Sequence, residues 1–487
     1  MYLGIDIGTS AVKSVLIDRN QSVIAIASES LKISKRKPLY SEQNPNDWWH
    51  ASLKTITSIK KSKPFDFCQL KSIGLTGQMH GAVCLDKKGE ILYPAILWDD
   101  GRSYKECNYL NKHHKDFEQL GGNLVMPGFT APKLLWLKRN KPDLFNKIDK
   151  ILLPKDYLRY KLTGEFATDM SDASGTLWLD IRKRKWSETT LSACDLKESN
   201  MAKLYEGTEC TGYLLPSIQK IFEIKKPIKV IAGASDNAAG ALSVGSYSPG
   251  QAMISLGTSG VYFSPTSLVA TNTKKGLHTF CHAIKQRWHQ MGVILSAGSA
   301  LSWWGNVCER DKETFFNSLS KQYDDKYIPL FLPYLSGERT PCNNPFAKAS
   351  FIGMTHNTTY IEMVQSVLEG VAFAIADCED TITETQTKIN SVSVIGGGAK
   401  SLYWGKIIAS VLNRDLSYHH NSSIGPMFGA ARLAIYEDNE LSLEQVFTQP
   451  KIVTVIKPDP KLQQQLDWRR SLYHQSYKNL KEIFKLQ

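Results

Sequence analysis

A chain of 487 residues, 42% hydrophobic and 22% charged, is longer than one hydrophobic core organises, and its composition excludes a disordered or fibrous protein. No apolar run is long enough to span a bilayer, and the opening "MYLGIDIGTS" lacks a basic region followed by a long apolar run, so no membrane association and a cytoplasmic location are expected. The nine cysteines form no CxxC pair, which argues against a zinc ribbon or disulfide framework; the net charge of +12 includes two short basic runs, "KISKRKP" (32–38) and "IRKRKW" (181–186), that read as solvated surface rather than a nucleic-acid face.

The first elements alternate with a period of two. Leu3, Ile5 and Ile7 share one strand face, the turn "GTSA" follows, and Val12, Ser14 and Leu16 resume the pattern before "DRNQS" and a third strand, "VIAIAS". "SEQNPNDWWHASLKTITSI" (41–59) predicts a helix with Asn44 as cap, Pro45 at the first position and Asp47 in the first turn. "LKSIGLTG" reads as a strand and "PKLLWLKRN", from Pro132, as a helix with Leu134, Leu135 and Leu137 facing inward. Turn residues cluster in "VGSYSPGQ" (244–251), which predicts a division into domains at residues 1–246 and 247–487. "QAMISLGTSGVYFSP" (251–265) then repeats the order strand, Gly-Thr-Ser, strand, so the two halves look related. Val364, Val367, Leu368, Val371 and Ile375 mark the buried stripe of a helix, and "INSVSVIGGGAKS" a buried strand, a triple glycine and a helix from about Leu402.

Chemistry concentrates in the turns. Gly8, Thr9, Ser10 and, in the second half, Thr258 and Ser259 offer amides and hydroxyls suited to phosphate oxygens, with Lys13 placed to neutralise charge. "GGGAK" (396–400) and the small-residue loop at Gly298 let a ligand approach backbone; neither has the spacing of a P-loop or a dinucleotide fingerprint. Asp6, at the end of the first strand, suits a residue holding Mg²⁺. "GASDNAAGA" (233–241) carries one charge, Asp236, which serves either as a helix N-cap or as a base. "GLTGQMHG" (74–81) sets Gln78 and His80 between glycines, as a loop lining a cavity would, and "LWDDGRS" offers Trp98, Asp100 and Arg102 as either a sugar-binding set or a structural ion pair.

Together these segments resemble the FGGY family of carbohydrate kinases, within the actin-like ATPase superfamily. "GIDIGTSAVKS" and "ISLGTSGVYF" are similar to its two phosphate motifs and "VIGGGAKS" to its adenosine motif; "GFTAPKLLWLKRN" (128–140) and "SFIGMTHNTTYIEMVQSVLEGVAF" (350–373) fit its two signatures. "GQMHG", "LWDDGR", "LLPKDYLRYKLTGEFATDMSDASGTLWLD" and "PYLSGERTP" resemble the branch acting on xylulose, whereas glycerol kinases carry an Arg-Glu pair where this chain has Met79 and His80. Asp99 replaces a frequent Asn and Cys342 a frequent His.

The resemblance implies an α/β fold of two actin-like (RNase H-like) domains with a central cleft, and ATP-dependent phosphorylation of D-xylulose to D-xylulose 5-phosphate. It assigns Asp236 as general base, Asp6 as assistant through Mg²⁺, and Met79, His80 and Asn237 as sugar contacts. Gly8, Thr9, Ser10, Thr258 and Ser259 would surround the phosphates, and Gly397, Gly398 and Ala399 would meet the adenosine. Dimers are common in the family, so a homodimer is compatible. A kinase of another ketopentose or polyol, such as ribulose, and a non-catalytic nucleotide-binding sugar sensor are the alternatives.

Overall fold

A computed structural model describes residues 1–309, 328–420, 422, 424–438 and 441–486. Strand Tyr2–Ile7 is the axis of the first half. It pairs antiparallel with Ala11–Ile17, which pairs with Val23–Ser30, and parallel with Ser72–Gly77 on its other side. Lys229–Ile231 and Cys210–Tyr213 complete one flank, and Ala234–Ser235 adds a short parallel pairing at the end of Ser72–Gly77.

Every residue of Tyr2–Ile7 is buried, so alternation here separates two interiors rather than core from solvent. Leu3, Ile5 and Ile7 pack with Trp48, Ile56 and Ile59 of helix Pro45–Ser62. That helix begins as expected, with the Asn44 side chain accepting from the Asn46 amide and Pro45 at its first turn. Tyr2, Gly4 and Asp6 point the other way, toward helices Asp236–Ser243 and Pro426–Asp438. A methyl group on Gly4 or Gly74 would overlap backbone carbonyl oxygens of Pro426–Asp438, at Met427 and Ala430, so this helix lies directly on the strands. A segment from near the end of the chain is thereby built into the first half.

The second half repeats the plan. Gly250–Leu256 pairs antiparallel with Gly260–Thr266 and parallel with Ile389–Ile395, the same relation that Tyr2–Ile7 has to its two neighbours. Trp288–Ile294 and His278–Cys281 extend one side of this seven-stranded sheet; Leu416–His419 and Ile452–Ile456 extend the other. The predicted stripe lies on helix Tyr360–Thr383, where Val364, Val367, Leu368, Val371 and Ile375 are each at most 1% exposed. Helix Thr130–Asn140 buries Leu134, Leu135 and Leu137, and helix Leu402–Leu412 starts where expected. No cysteine among the described residues forms a disulfide with another. No helix among the described residues is long and apolar enough to cross a membrane.

One local expectation is corrected. Asp236 does not cap its helix: Ser235 is the cap residue, in extended backbone and without a capping side-chain bond, and Asp236 is the first helical residue. Its carboxylate Oδ1 instead accepts from the amide and the side-chain Nδ2 of Asn237, at 2.7 and 2.9 Å.

Candidate active site

The ends of the strands Tyr2–Ile7, Ser72–Gly77 and Gly250–Leu256 open on one cleft. In it lies a cavity of about 230 Å³, lined from the first half by Met79, His80, Trp98, Phe129, Asp236 and Asn237 and from the second by Gly257, Ser259, Val293 and Arg339. Of the residues expected from sequence, Met79, His80, Asp236, Asn237 and Ser259 therefore share a single cavity.

Burial lifts the Asp236 carboxyl to about 6, against the two hydrogen bonds from Asn237 that favour its charged form. Asp6 is 9% exposed and its Oδ1 has no hydrogen-bond partner among the described residues. Burial first, and then repulsion from Asp236, push Asp6 to about 7, while Lys13 pulls the other way. Asp6 thus feels the charge of Asp236, and Lys13, exposed on the neighbouring strand, acts on Asp6 electrostatically.

The loop carrying Met79 and His80 is tightly held. His80 adopts a left-handed backbone (φ +69°), and its carbonyl accepts from Lys133 Nζ at 2.9 Å and Thr130 Oγ1 at 3.2 Å. Its Nδ1 lies 2.8 Å from the Gly175 carbonyl, an acceptor only, so Nδ1 carries the proton and Nε2 is left as an acceptor. Burial, with nearby Lys133, lowers His80 to about 3, so the ring is neutral. Lys133 is itself fully buried, and burial brings it down to about 7. Thr130 and Lys133 lie within "GFTAPKLLW", a segment to which sequence reasoning assigned no role beyond family signature and helix.

Thr9 links the first turn to this loop. Its hydroxyl donates to Gln78 Oε1 and accepts from Trp98 Nε1, both at 3.0 Å, and its carbonyl accepts from Gln43 Nε2 at 2.7 Å. Gly8 and the exposed Ser10 flank it on the same turn. Trp98 lines the cavity, but Asp100 and Arg102 do not: they pair with each other, Arg102 also pairs with Glu42, and its guanidinium lies 3.6 Å from the Tyr40 ring centroid. The ion-pair alternative is the correct one for these two residues.

In the second half, the Thr258 carbonyl accepts the amides of Ala297 and Ser299, and Gly298 N–H donates to the Gly257 carbonyl at 2.9 Å. The start of helix Gly298–Val307 is thereby docked on the second Gly-Thr-Ser turn. Gly396, with φ +92°, brings the triple glycine against the Leu256 carbonyl, where a side chain would collide. Gly397, Gly398 and Ala399 form a single 3₁₀ turn there, with open space beside Gly397. Thr258, Gly298 and the glycine loop therefore gather at the end of Gly250–Leu256, next to the cavity that Gly257 and Ser259 of the same turn help to line. Sequence reasoning did not single out Arg339, which lines the cavity from within "PYLSGERTP".

The comparisons with known proteins agree with this fold. Residues 1–243 match the N-terminal domain model of the FGGY family of carbohydrate kinases, and residues 252–437 its C-terminal domain model. The chain is 45% identical over 482 residues to the xylulose kinase of Escherichia coli (strain K12), covering 99% of both chains. It is 35% identical to the xylulose kinase of Lactococcus lactis subsp. lactis (strain IL1403), covering 99% of this chain and 97% of that one. The crystal structure of a xyloylose kinase from Brucella ovis superposes with a TM-score of 0.96 at 41% identity, over 99% of each chain. A Plasmodium falciparum glycerol kinase with ADP shares the fold, with a TM-score of 0.88 at 22% identity over 97% of each chain. The chain belongs to the FGGY family of carbohydrate kinases, as an α/β protein of two actin-like halves about a cleft.

Proposed function

We propose that this kinase transfers the terminal phosphoryl group of ATP to the 5-hydroxyl of D-xylulose, with Asp236 as the general base. The observation that carries the proposal is the placement of the Asp236 carboxylate in a cavity shared by the Met79–His80 loop and Ser259 of the second phosphate-like turn. The names and identities of the xylulose kinases above support the choice of sugar.

In this scheme Asp236 takes the 5-hydroxyl proton as that oxygen bonds to the γ-phosphorus, and the bond from phosphorus to the bridging oxygen of ADP breaks. A carboxyl at about 6 is mostly ionised at neutral pH and so is ready to accept the proton. The Asn237 hydrogen bonds fix which way the carboxylate faces. Neutral His80 accepts a sugar hydroxyl at Nε2, and Met79 supplies apolar contact. Gly8, Thr9, Ser10 and Lys13 on one side and Thr258, Ser259 and Gly298 on the other hold the phosphates; Gly397, Gly398 and Ala399 meet the adenosine. Closure of the halves would keep water from acting as acceptor.

The unpartnered Oδ1 of Asp6 fits an oxygen-seeking divalent cation reached through water. Among the described residues no three His, Cys, Asp or Glu side chains cluster as a metal cage, so Mg²⁺ would lean on the nucleotide and solvent. When bound, it neutralises phosphate charge. We also propose the two lobes as residues 1–246 and 247–487, with helix Pro426–Asp438 crossing from the second onto the first.

The test is ADP release with D-xylulose, D-ribulose, xylitol and glycerol in parallel. Stimulation greatest with D-xylulose is expected. Stimulation by another sugar but none by D-xylulose overturns the choice of substrate, and stimulation by none overturns the transfer itself.

A further inference from the structure

Arg339 brings a guanidinium to the same cavity as Asp236 and His80. The residue is half-buried, and desolvation lowers its pKa from the usual value. Among the described residues its side chain has one hydrogen bond, from Nη1 to His278 Nε2 at 3.3 Å, and no ion pair. The adjacent Glu338 is turned away, its Oε1 accepting from the Leu295 and Arg339 amides at 3.0 and 2.8 Å.

The direction of the His278 contact follows from its neighbours. Asn123 Nδ2 donates to the carbonyls of Gly121 and Thr279, at 2.9 and 2.8 Å, so its Oδ1 is the atom facing the Thr279 amide and His278 Nδ1, at 3.2 and 2.9 Å. An amide oxygen only accepts, hence His278 Nδ1 carries the proton and Nε2 receives a hydrogen from Arg339. His278 is 2% exposed and burial pushes it well below its usual pKa, so it stays neutral. Asn123 and His278 thus hold one edge of the guanidinium and leave its other N–H groups for the cavity.

Three of the groups that line the cavity differ in hydrogen-bonding type. Asp236 and His80 Nε2 accept and do not donate; Arg339 donates and cannot accept. A sugar hydroxyl can serve either kind of group, whereas a ketone oxygen can only accept. We propose that Arg339 is a sugar-binding residue that reads the carbonyl oxygen of a ketose, setting that end of the sugar opposite the hydroxyl delivered to Asp236. This rests on the sugar-kinase reading above and adds a specificity determinant to it. A polyol hydroxyl there can also accept from Arg339, but its own hydrogen then needs a second, acceptor partner that a ketone oxygen does not, so the open-chain alcohol is disfavoured.

The experiment compares D-xylulose with xylitol, at saturating ATP, for the unmodified enzyme, Arg339→Gln and Arg339→Lys, with nucleotide affinity measured by calorimetry on the same preparations. Arg339→Gln should raise the D-xylulose KM by about tenfold to a hundredfold, the range expected for losing a hydrogen bond from a charged donor. Because glutamine both donates and accepts, the preference for D-xylulose over xylitol should shrink by a similar factor. Nucleotide affinity should stay within about twofold, since Arg339 is assigned to the sugar alone. Arg339→Lys, which keeps the charge but loses the fork, should also raise the D-xylulose KM, and it decides the matter if the glutamine variant does not fold. An unchanged D-xylulose KM in either variant overturns the proposal, as does an equal loss on both sugars, which would mark a packing role. An unmodified enzyme that prefers xylitol overturns the carbonyl assignment while leaving phosphoryl transfer intact; one that uses no sugar sinks the functional reading itself and this inference with it, before any variant is compared.

Discussion

The amide of Ser235 donates to the hydroxyl of Ser171 at 2.9 Å, tying the residue before Asp236 to a buried charge cluster in another part of the chain. The same hydroxyl donates to Asp169 Oδ1. Asp169 joins Asp156 and Asp172 around Lys155, whose Nζ lies 2.7, 2.7 and 3.0 Å from the three carboxylates, all fully buried. The cleft carboxylate is thus set by a rigid interior strut as well as by its own helix.

Removing that strut should loosen Asp236 without removing it. Ser171→Ala is expected to lower kcat by about threefold to thirtyfold, because small misplacements of a reacting group are costly, while leaving the KM for ATP near its original value. Steady-state kinetics with each substrate varied in turn separate the two. Lys155→Met would leave three buried acids with only Arg159, 3.9 Å from Asp156, as a neighbouring cation, and should prevent stable folding, a loss of about 3–5 kcal/mol or more, read as the absence of a cooperative melt.

Asp236→Asn should reduce kcat by about 10²–10⁴-fold, the usual contribution of a general base, with ATP affinity retained by calorimetry. In the unmodified enzyme kcat/KM should fall on the acid side, with limbs near the values of about 6 and 7 raised at Asp236 and Asp6. The sign follows from the base being needed ionised, and the limbs belong to the interacting pair rather than to either residue alone. A profile flat down to pH 5 would contradict the role.

Glu338, beside Arg339, offers a stability test. Burial raises it to about 8, and it is 2% exposed with Oε2 unpartnered. A carboxyl raised in the folded state adds stability below its ordinary value, near 4.5, and loses that contribution as pH climbs to about 8. Glu338→Gln keeps the Oε1 acceptor and cannot ionise. It should therefore match the original protein in acid and exceed it increasingly as pH rises to about 8, by up to about 5 kcal/mol on the plateau above. Denaturant melts at pH 5 and pH 9 measure the difference.

Gly74→Ala should fail for a steric reason. The added methyl would overlap the Ala430 carbonyl, a backbone atom with nowhere to move unless helix Pro426–Asp438 lifts from the sheet. A loss of about 3 kcal/mol or more is expected, above the usual cost of overpacking because backbone resists, together with weakened activity, since the helix Asp236–Ser243 packs on the same helix through Gly429 and Ala239.

Much of the architecture was legible because it is periodic and local. The alternation of Leu3, Ile5 and Ile7, the Asn44-Pro45 start and the Val364–Ile375 stripe each express a hydrogen-bonding geometry that repeats every two or about 3.6 residues. The repeated Gly-Thr-Ser hairpin announced two related halves, and the structure has the same antiparallel and parallel neighbours around each. "LWDDGRS" was ambiguous for a physical reason. Trp98, Asp100 and Arg102 form a plausible sugar set in sequence, but Glu42 and Tyr40, more than 50 residues away from Arg102, draw it into a buried ion pair.

The sequence by itself determined the elements, the turns and the residue types that phosphoryl transfer needs, since these depend on neighbours along the chain. Only the tertiary structure decided that Lys133 and Thr130 clamp the His80 carbonyl, that Ser171 reaches the backbone beside Asp236, and that Arg339 enters the cavity on the edge of His278. These partners lie between 50 and 64 residues apart. No local propensity encodes such contacts; they arise when folding brings distant polar groups into an interior where each must find a partner or face the cleft.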